Sequence, residues 1–286
     1  LMDSTPLFLT GNTDTVYASG FLDLLKDGPT VVEVPPGCGP GTVNDAFFRF
    51  VIDTGSVGFD RGQGGKYLLL PPGSELLDTD PPEGGAEAEV AGAKYFVAKS
   101  KTYANWLILR GFLVDGKADA ATSLFKSGVR VYPLALAADP PAMTWISGSK
   151  APMNTIHANN FAFYEEIHRV LDREPVDFLD PELRGKAASI GLIRGQAFQP
   201  GEQLRKTLEE AVSAANAMAR AVAFRPRSEE CFLYGKDKAW YTPLIGGDYH
   251  WLLDKGNGGR NLDARLLFFY LATVNTPAIV QKMVGR

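Results

Sequence analysis

The chain has 286 residues, of which 45% are hydrophobic and 22% are charged, a composition typical of a globular protein with one or two domains. Its net charge of −4 argues against a nucleic-acid binder that relies on neutralising phosphates. No apolar run reaches the roughly 18 residues that a membrane-spanning helix needs, and the first residues lack the pattern of a signal peptide. Cys38 and Cys231 could pair or remain buried thiols, so they leave the redox compartment open.

A polar turn runs into an apolar strand between Thr10 and Leu25. Asn12 and Asp14 can hydrogen-bond to their own backbone and stabilise the turn. Tyr17 follows with an apolar ring and a polar tip. This cluster predicts a structural corner first and one wall of a functional site second.

Short apolar runs bounded by Gly and Pro predict β-strands through the first 135 residues. The runs cover residues 30–34, 47–53, 66–70, 94–98, 105–114 and 129–134. Residues 78–92 are acidic and rich in Pro and Gly, which predicts an exposed loop, and 117–126 predicts a short helix. No strand–helix–strand alternation appears before residue 115, so an antiparallel sandwich is favoured over a parallel sheet.

The hydrophobic period changes to that of helices after about residue 155. Asn160 is expected to cap a helix that ends at Pro175, and 203–224 is the clearest helix of the chain. Helices are also expected over 262–272 and from Thr276 onward. The fold class is therefore α+β, with a β-sandwich at 1–148, a helical segment at 149–225, and a linker with helices at 226–286.

Matches to motifs with a specific chemistry are weak in this chain. The glycine-rich run 58–66 precedes a strand rather than a helix, so it predicts a turn and not a phosphate loop. His157 lies before a predicted helix and is a candidate catalytic residue, although a capping role is favoured. Arg260, Asp263 and Arg265 surround a helix start and could hold an anion, although a structural network is favoured. The spacing predicts no metal site and no cofactor.

Trp106 and Arg110 lie four residues apart on one predicted strand, so both side chains point to the same face of the sheet. An arginine in that place could stack on the indole, bind a carboxylate or close a salt bridge. A structural ion pair is the favoured interpretation.

Five blocks of the sequence resemble a bacterial family in which domains of unknown function 1254 and 1214 (DUF1254 and DUF1214) occur in tandem. The blocks are Thr10–Ser19, Gly64–Gly73, Trp106–Phe112, Asn154–Glu166 and Arg260–Tyr270. The resemblance implies a jelly-roll-like sandwich, a helical segment and a second β domain, which we expect to be absent or truncated here, as in a fragment or a processed form. It also implies homo-oligomers and a full-length form with an export signal, hence a periplasmic or secreted location.

The family has no generally established activity, so three functions stay open. The first is an exported hydrolase that acts on a small molecule or polymer. Its catalytic candidates are Asn12, Asp14, Tyr17, Arg110 and His157.

The second function is a non-catalytic module that binds a glycan or another small molecule on a face of the sandwich. Its exposed aromatic residues would be Tyr67, Tyr95, Trp106 and Trp145. Its ligand-binding candidates are Trp106, Arg260, Asp263 and Arg265.

The third function is structural, with oligomer formation through the sandwich.

Overall fold

A computed structural model of the protein describes residues 14–150, 157–242 and 262–269. These residues form two compact units. The β unit comprises 14–149 and 173–180, and the helical unit comprises 150, 157–172, 181–242 and 262–269. The architecture is mixed α+β, and the domain limits expected at residues 148 and 225 stay predictions.

Along the described residues, a strand-rich part is followed by a helix-rich part. The strands are β1 (Thr15–Asp23), β2 (Thr30–Val34), β3 (Gly41–Asp45), β4 (Phe50–Thr54), β5 (Gly65–Leu70), β6 (Ala86–Val90), β7 (Ala93–Lys99), β8 (Ala104–Phe112) and β9 (Arg130–Pro133). The α-helices are α1 (Leu24–Asp27), α2 (Asp119–Gly128), α3 (Ala162–Arg173), α4 (Pro181–Ser189), α5 (Glu202–Phe224) and α6 (Leu262–Phe269). Short 3-10 helices lie at Gly55–Val57, Leu134–Leu136, Val176–Phe178 and Glu229–Cys231.

The strands form two sheets. The four-stranded sheet has the order β1-β8-β3-β4 and is antiparallel throughout. The five-stranded sheet has the order β6-β7-β5-β2-β9, and within it only β5 and β7 pair in parallel. The expected predominance of antiparallel pairing is confirmed for the described strands, whereas the jelly-roll topology stays a prediction.

One hydrophobic core joins the two sheets. Val16, Val43 and Leu109 of the four-stranded sheet pack in the same buried cluster as Val32 and Leu69 of the five-stranded sheet. The opposite face of the five-stranded sheet carries a second cluster. Its members include Val31, Leu68, Tyr95, Val97 and Tyr132. The five-stranded sheet is therefore buried on both faces, whereas the other face of the four-stranded sheet does not belong to either cluster.

Several element predictions are confirmed and one is wrong. Helix α5 begins within one residue of the predicted start, and the Asn160 side chain accepts a hydrogen bond from the backbone N–H of Ala162, at 3.0 Å, as expected of a cap. The loop expected over 78–92 instead contains β6, which pairs with β7 at the edge of the sheet. Its Ala and Glu residues have low strand propensity, so pairing with β7 determines its conformation.

Residues 58–64 of the glycine-rich run form a turn, as predicted, before β5 begins at Gly65, and a buried hydrogen bond organises this turn. The Tyr67 hydroxyl donates to one oxygen of the Asp60 carboxyl, and the other oxygen accepts from the backbone N–H of Gly64. A Cβ atom at Gly58 would lie 2.5 Å from the Tyr67 hydroxyl, so the close approach requires glycine there. Burial, together with the bond to Asp60, raises the pKa of Tyr67.

Replacement of Tyr67 by Phe is expected to lower the free energy of unfolding by about 2 kcal/mol, because buried Asp60 loses two hydrogen bonds, one at its carboxyl and one at its backbone N–H. Urea-induced unfolding measures the change. Tyr95→Phe is the matched control, since Tyr95 is also buried and its hydroxyl has no hydrogen bond to any described residue. Equal losses for both variants would contradict a role for the Asp60–Tyr67 bond.

Candidate ligand-binding face

Strand β8 lies in the interior of the four-stranded sheet, and its side chains alternate between two environments. Leu107 and Leu109 are buried in the shared core. Successive side chains of a strand point to opposite faces. Trp106, Ile108 and Arg110 therefore project from the other face, which confirms that Trp106 and Arg110 lie on the same side of the sheet.

Strand β1 supplies the neighbouring row. Val16 and Leu22 point into the core, so Tyr17, Ser19 and Phe21 point outward. In the antiparallel register Tyr17 lies opposite Arg110, Ser19 opposite Ile108, and Phe21 opposite Trp106. We call the surface formed by these six side chains the outer face.

Aromatic rings collect around Trp106 on the outer face. The Phe21 ring stacks on the indole with centroids 6.4 Å apart and an interplanar angle of 19°. Phe48, from the turn between β3 and β4, packs on the indole at 5.9 Å. The indole Nε1 donates a hydrogen bond of 2.7 Å to Ser19 Oγ. Phe21 is nevertheless 80% exposed, so one ring of this cluster is presented to solvent.

Phe48 adopts a backbone conformation that is unusual for its residue type. Its φ is +58°, in the left-handed region that disfavours bulky side chains. The buried Asp45 carboxylate holds this turn by accepting hydrogen bonds from the backbone N–H groups of Phe47 (2.9 Å) and Arg49 (2.8 Å). The fold thus maintains a strained residue whose ring contacts Trp106, and such strain is characteristic of functional sites.

Arg110 is the exposed cation of the outer face. Its guanidinium carbon lies 5.6 Å from the centroid of the Tyr17 ring, within the range of a cation–π contact. The structural ion pair favoured from sequence is not present, because Arg110 forms no salt bridge with any described carboxylate. Stacking on Tyr17 rather than pairing with an acid leaves its N–H donors at the surface.

The predicted catalytic residues are distributed over both units. Asn12 lies outside the described residues, and Asp14 is exposed just before β1. Tyr17 and Arg110 come together on the outer face. His157 belongs to the helical unit, where its ring is exposed and packs at 5.3 Å from Phe163. The catalytic roles of these residues stay predictions.

Asp263, which was a candidate residue of an anion site, forms hydrogen bonds with residues 227 and 228. Arg260 lies outside the described residues. The buried Asp263 carboxylate accepts hydrogen bonds from the backbone N–H groups of Arg227 and Ser228 and from the Arg227 guanidinium. Burial acts to raise the pKa of Asp263, but these bonds outweigh it and hold the pKa below its usual value. Asp263 is thus part of a structural network, while a ligand-binding role for half-buried Arg265 stays a prediction.

Only some of the aromatic residues that were expected on an exposed surface reach the surface. Tyr67 and Tyr95 are buried, so their assignment to an exposed binding surface is wrong. Trp145 is half-buried against the shared core. Phe21 and Phe48 were not identified from sequence. The alternation of residues 17, 19 and 21 on one strand was the signal available for Phe21, whereas the contact of Phe48 depends on tertiary structure.

The described residues contain no group of three or more His, Cys, Asp and Glu side chains placed to hold a metal ion. Across the same parts of the chain, every helix is too short or too polar to cross a bilayer. Cys38 and Cys231 are both buried, and neither is part of a disulfide. Burial raises the pKa of the Cys38 thiol to about 11, which makes this thiol unreactive at neutral pH.

Residues 2–133 match a family model. The model is described as "Protein of unknown function (DUF1254)", and the match covers most of the β unit. The resemblance to DUF1254 is thereby confirmed over these residues, and the resemblance to DUF1214 stays a prediction. No curated protein is significantly similar to this chain.

The fold is similar to that of a solved structure, the VPA0106 protein from Vibrio parahaemolyticus. The TM-score is 0.56 and the sequence identity 18%, over 94% of this chain and 59% of that protein. At this identity the similarity shows a shared fold and gives no information about function. The present chain spans less than two thirds of the length of VPA0106.

The strain at Phe48 gives a testable difference between two variants. Phe48→Asn is expected to be more stable than Phe48→Ala by about 1 kcal/mol, because Asn tolerates the left-handed conformation and both variants lack the ring. Urea-induced unfolding measures this difference. The same pair of substitutions at Phe47, whose φ is not positive, should show no such preference. Equal stability of the two Phe48 variants would contradict the inferred strain.

The Asp263 network predicts a pH-dependent loss of stability. At neutral pH, Asp263→Asn should lower the free energy of unfolding by about 2 kcal/mol, because hydrogen bonds to a charged acceptor are lost. A carboxyl whose pKa is lowered on folding stabilises the protein above its unfolded pKa, and this stabilisation disappears as the pH falls through the folded pKa. The difference between wild type and variant should therefore shrink toward about pH 3.

Urea-induced unfolding at both pH values tests this prediction. Asp237→Asn is the control, since exposed Asp237 forms only a surface ion pair with Lys238 and should matter little. A difference that stays constant down to acidic pH would contradict the lowered pKa.

Proposed function

We propose that the protein binds a glycan through the outer face and that it catalyses no reaction there. The observation that carries the proposal is the ring cluster in which Phe21 is stacked on Trp106 and still 80% exposed. Full burial of a Phe side chain stabilises a fold by about 1.5–3 kcal/mol relative to exposure. The chain forgoes most of that stabilisation at Phe21, which supports a role in binding.

The chemistry around the rings favours a sugar over a purely apolar ligand. An aromatic face carries partial negative charge, so it attracts the C–H groups on the flat side of a pyranose ring. Ser19 on β1 and Thr42 and Asn44 on β3 lie in the rows that cross β8, which places hydroxyl and amide groups close to the rings. The surface is also an extended sheet rather than a closed cavity, which fits a polymer better than a small compact molecule.

A hydrolytic site would need an acid and a base, or a nucleophile and a base, within hydrogen-bond reach. Two described carboxyl groups lie on this side of the sheet: that of Asp53, on edge strand β4, and that of Asp23, at the end of β1, which forms an ion pair with Arg173. Of the two, Asp53 is the one without an ion pair to any described residue. Burial raises the pKa of Asp53, a hydrogen bond with Thr42 partly offsets the rise, and no described acid or histidine side chain is bonded to it. This arrangement favours binding over hydrolysis, and the hydrolase function stays a prediction.

The experiment measures binding of cellohexaose and of hexagalacturonate by isothermal titration and by tryptophan fluorescence, since Trp106, one of the four tryptophans of the chain, lies on the outer face. At least one hexasaccharide should bind the wild type. Phe21→Ala should weaken that binding about tenfold or more, because it removes an exposed stacking ring. The exposure of Phe21 makes the variant suitable, because its loss should hardly affect folding.

Phe59→Ala is the matched control. Phe59 is also an exposed phenylalanine of the β unit, but it lies in the turn between β4 and β5 and stacks on Phe96. Its replacement should leave binding unchanged. The proposal fails if neither hexasaccharide binds the wild type, or if the two alanine variants weaken binding equally.

The jelly-roll topology, export and homo-oligomer formation also stay predictions. An exported location would fit a glycan ligand, because polysaccharides are abundant outside the cytoplasm. Self-association through the same outer face would compete with the ligand, so binding should weaken as protein concentration rises if the face is an oligomer interface.

A further inference from the structure

We infer that the glycan is acidic and that Arg110 binds one of its carboxylates. The inference rests on the proposed function, because it names the class of ligand for the same face. Two observations support it: the absence of an acidic partner for Arg110 among the described residues, and its position in line with the ring cluster.

The arginines of the β unit differ in what they contact. Arg49 forms an ion pair with Asp45, at 2.6 Å, and Arg173 forms one with Asp23. Arg110 is exposed and has an aromatic ring as its described side-chain contact. A guanidinium is planar and weakly hydrated, and it presents paired N–H donors that match the geometry of a carboxylate. Contact with the Tyr17 ring limits the orientations of the guanidinium, which lowers the entropy cost of binding an anion.

The position of Arg110 indicates the length of the ligand. Trp106 and Arg110 are four residues apart on a continuous strand, which separates their Cα atoms by about 13 Å. Both side chains leave the same face of β8, and Ile108 lies between them. A single sugar ring cannot contact both ends. A linear chain of several acidic sugars can place one ring on Phe21 and Trp106 and a carboxylate of another ring at Arg110.

Single-stranded nucleic acid combines flat rings and negative charge in a similar way. A protein that binds it uses several cations along the strand. The outer face contains one arginine, and the whole chain has a net charge of −4. A glycan that stacks its C–H faces on the rings needs only one carboxylate, at Arg110, so an acidic glycan fits the outer face better.

The test compares hexagalacturonate with its fully methyl-esterified form, which has the same number of rings and no charge. The wild type should bind the acid about tenfold more tightly than the ester, because one charge-assisted hydrogen-bonded pair is lost in the ester. Arg110→Gln should remove this preference by weakening the acid about tenfold and leaving the ester unchanged. Arg61→Gln is the matched control, since exposed Arg61 lies in the 58–64 turn and has no described ion pair.

The results separate the two claims. If the wild type binds acid and ester equally while Phe21→Ala weakens both, the proposed glycan function stands and the inference about Arg110 is overturned. If Arg110→Gln and Arg61→Gln reduce acid binding equally, the effect is general electrostatics, and the inference is again overturned. Tighter binding of a hexathymidylate than of hexagalacturonate would overturn it in favour of nucleic acid. If neither hexasaccharide form nor cellohexaose binds, both claims fail.

Discussion

The outer face depends on one constraint, the register of β8 between β1 and β3. Leu107 and Leu109 are buried in the core shared by the two sheets. Because side chains alternate with a period of two, their burial directs Trp106 and Arg110 outward. A shift of one residue would bury the indole and the guanidinium and expose two leucines, which the core strongly disfavours. Hydrophobic packing on one side of the strand thus positions the rings and the cation on the other.

Periodicity was sufficient for the features that lie within one strand. It placed Trp106 and Arg110 on the same face, because this needs only the geometry of β8. It could not place Phe21 against the indole, because that contact depends on the pairing of β1 with β8. Ser19 and Trp106 are hydrogen-bonded although they are 87 residues apart in sequence. Long-range register of this kind has no local signal, so the ring cluster could not be predicted as a unit.

The two tyrosines assigned wrongly to an exposed surface show a second limit. Tyr67 and Tyr95 lie on strands of the five-stranded sheet, where one hydrophobic cluster covers each face. Alternation predicts which residues share a face but does not predict whether that face meets solvent. Strand β6 was not predicted because its own sequence carries only a weak strand signal. Its alternating Ala and Glu residues suit an exposed edge, and only the neighbouring β7 makes the segment a strand.

The buried carboxyl groups of this protein stabilise its fold through hydrogen bonds to the backbone. The buried carboxyl groups among the described residues are those of Asp45, Asp60, Glu174 and Asp263. Each accepts at least one backbone N–H, and Asp45 accepts two in the turn that holds Phe48. A carboxyl bonded in this way is fixed in place and is a poor mobile proton carrier. Asp45 therefore acts on the outer face indirectly, since the turn it stabilises holds the strained Phe48 ring against Trp106.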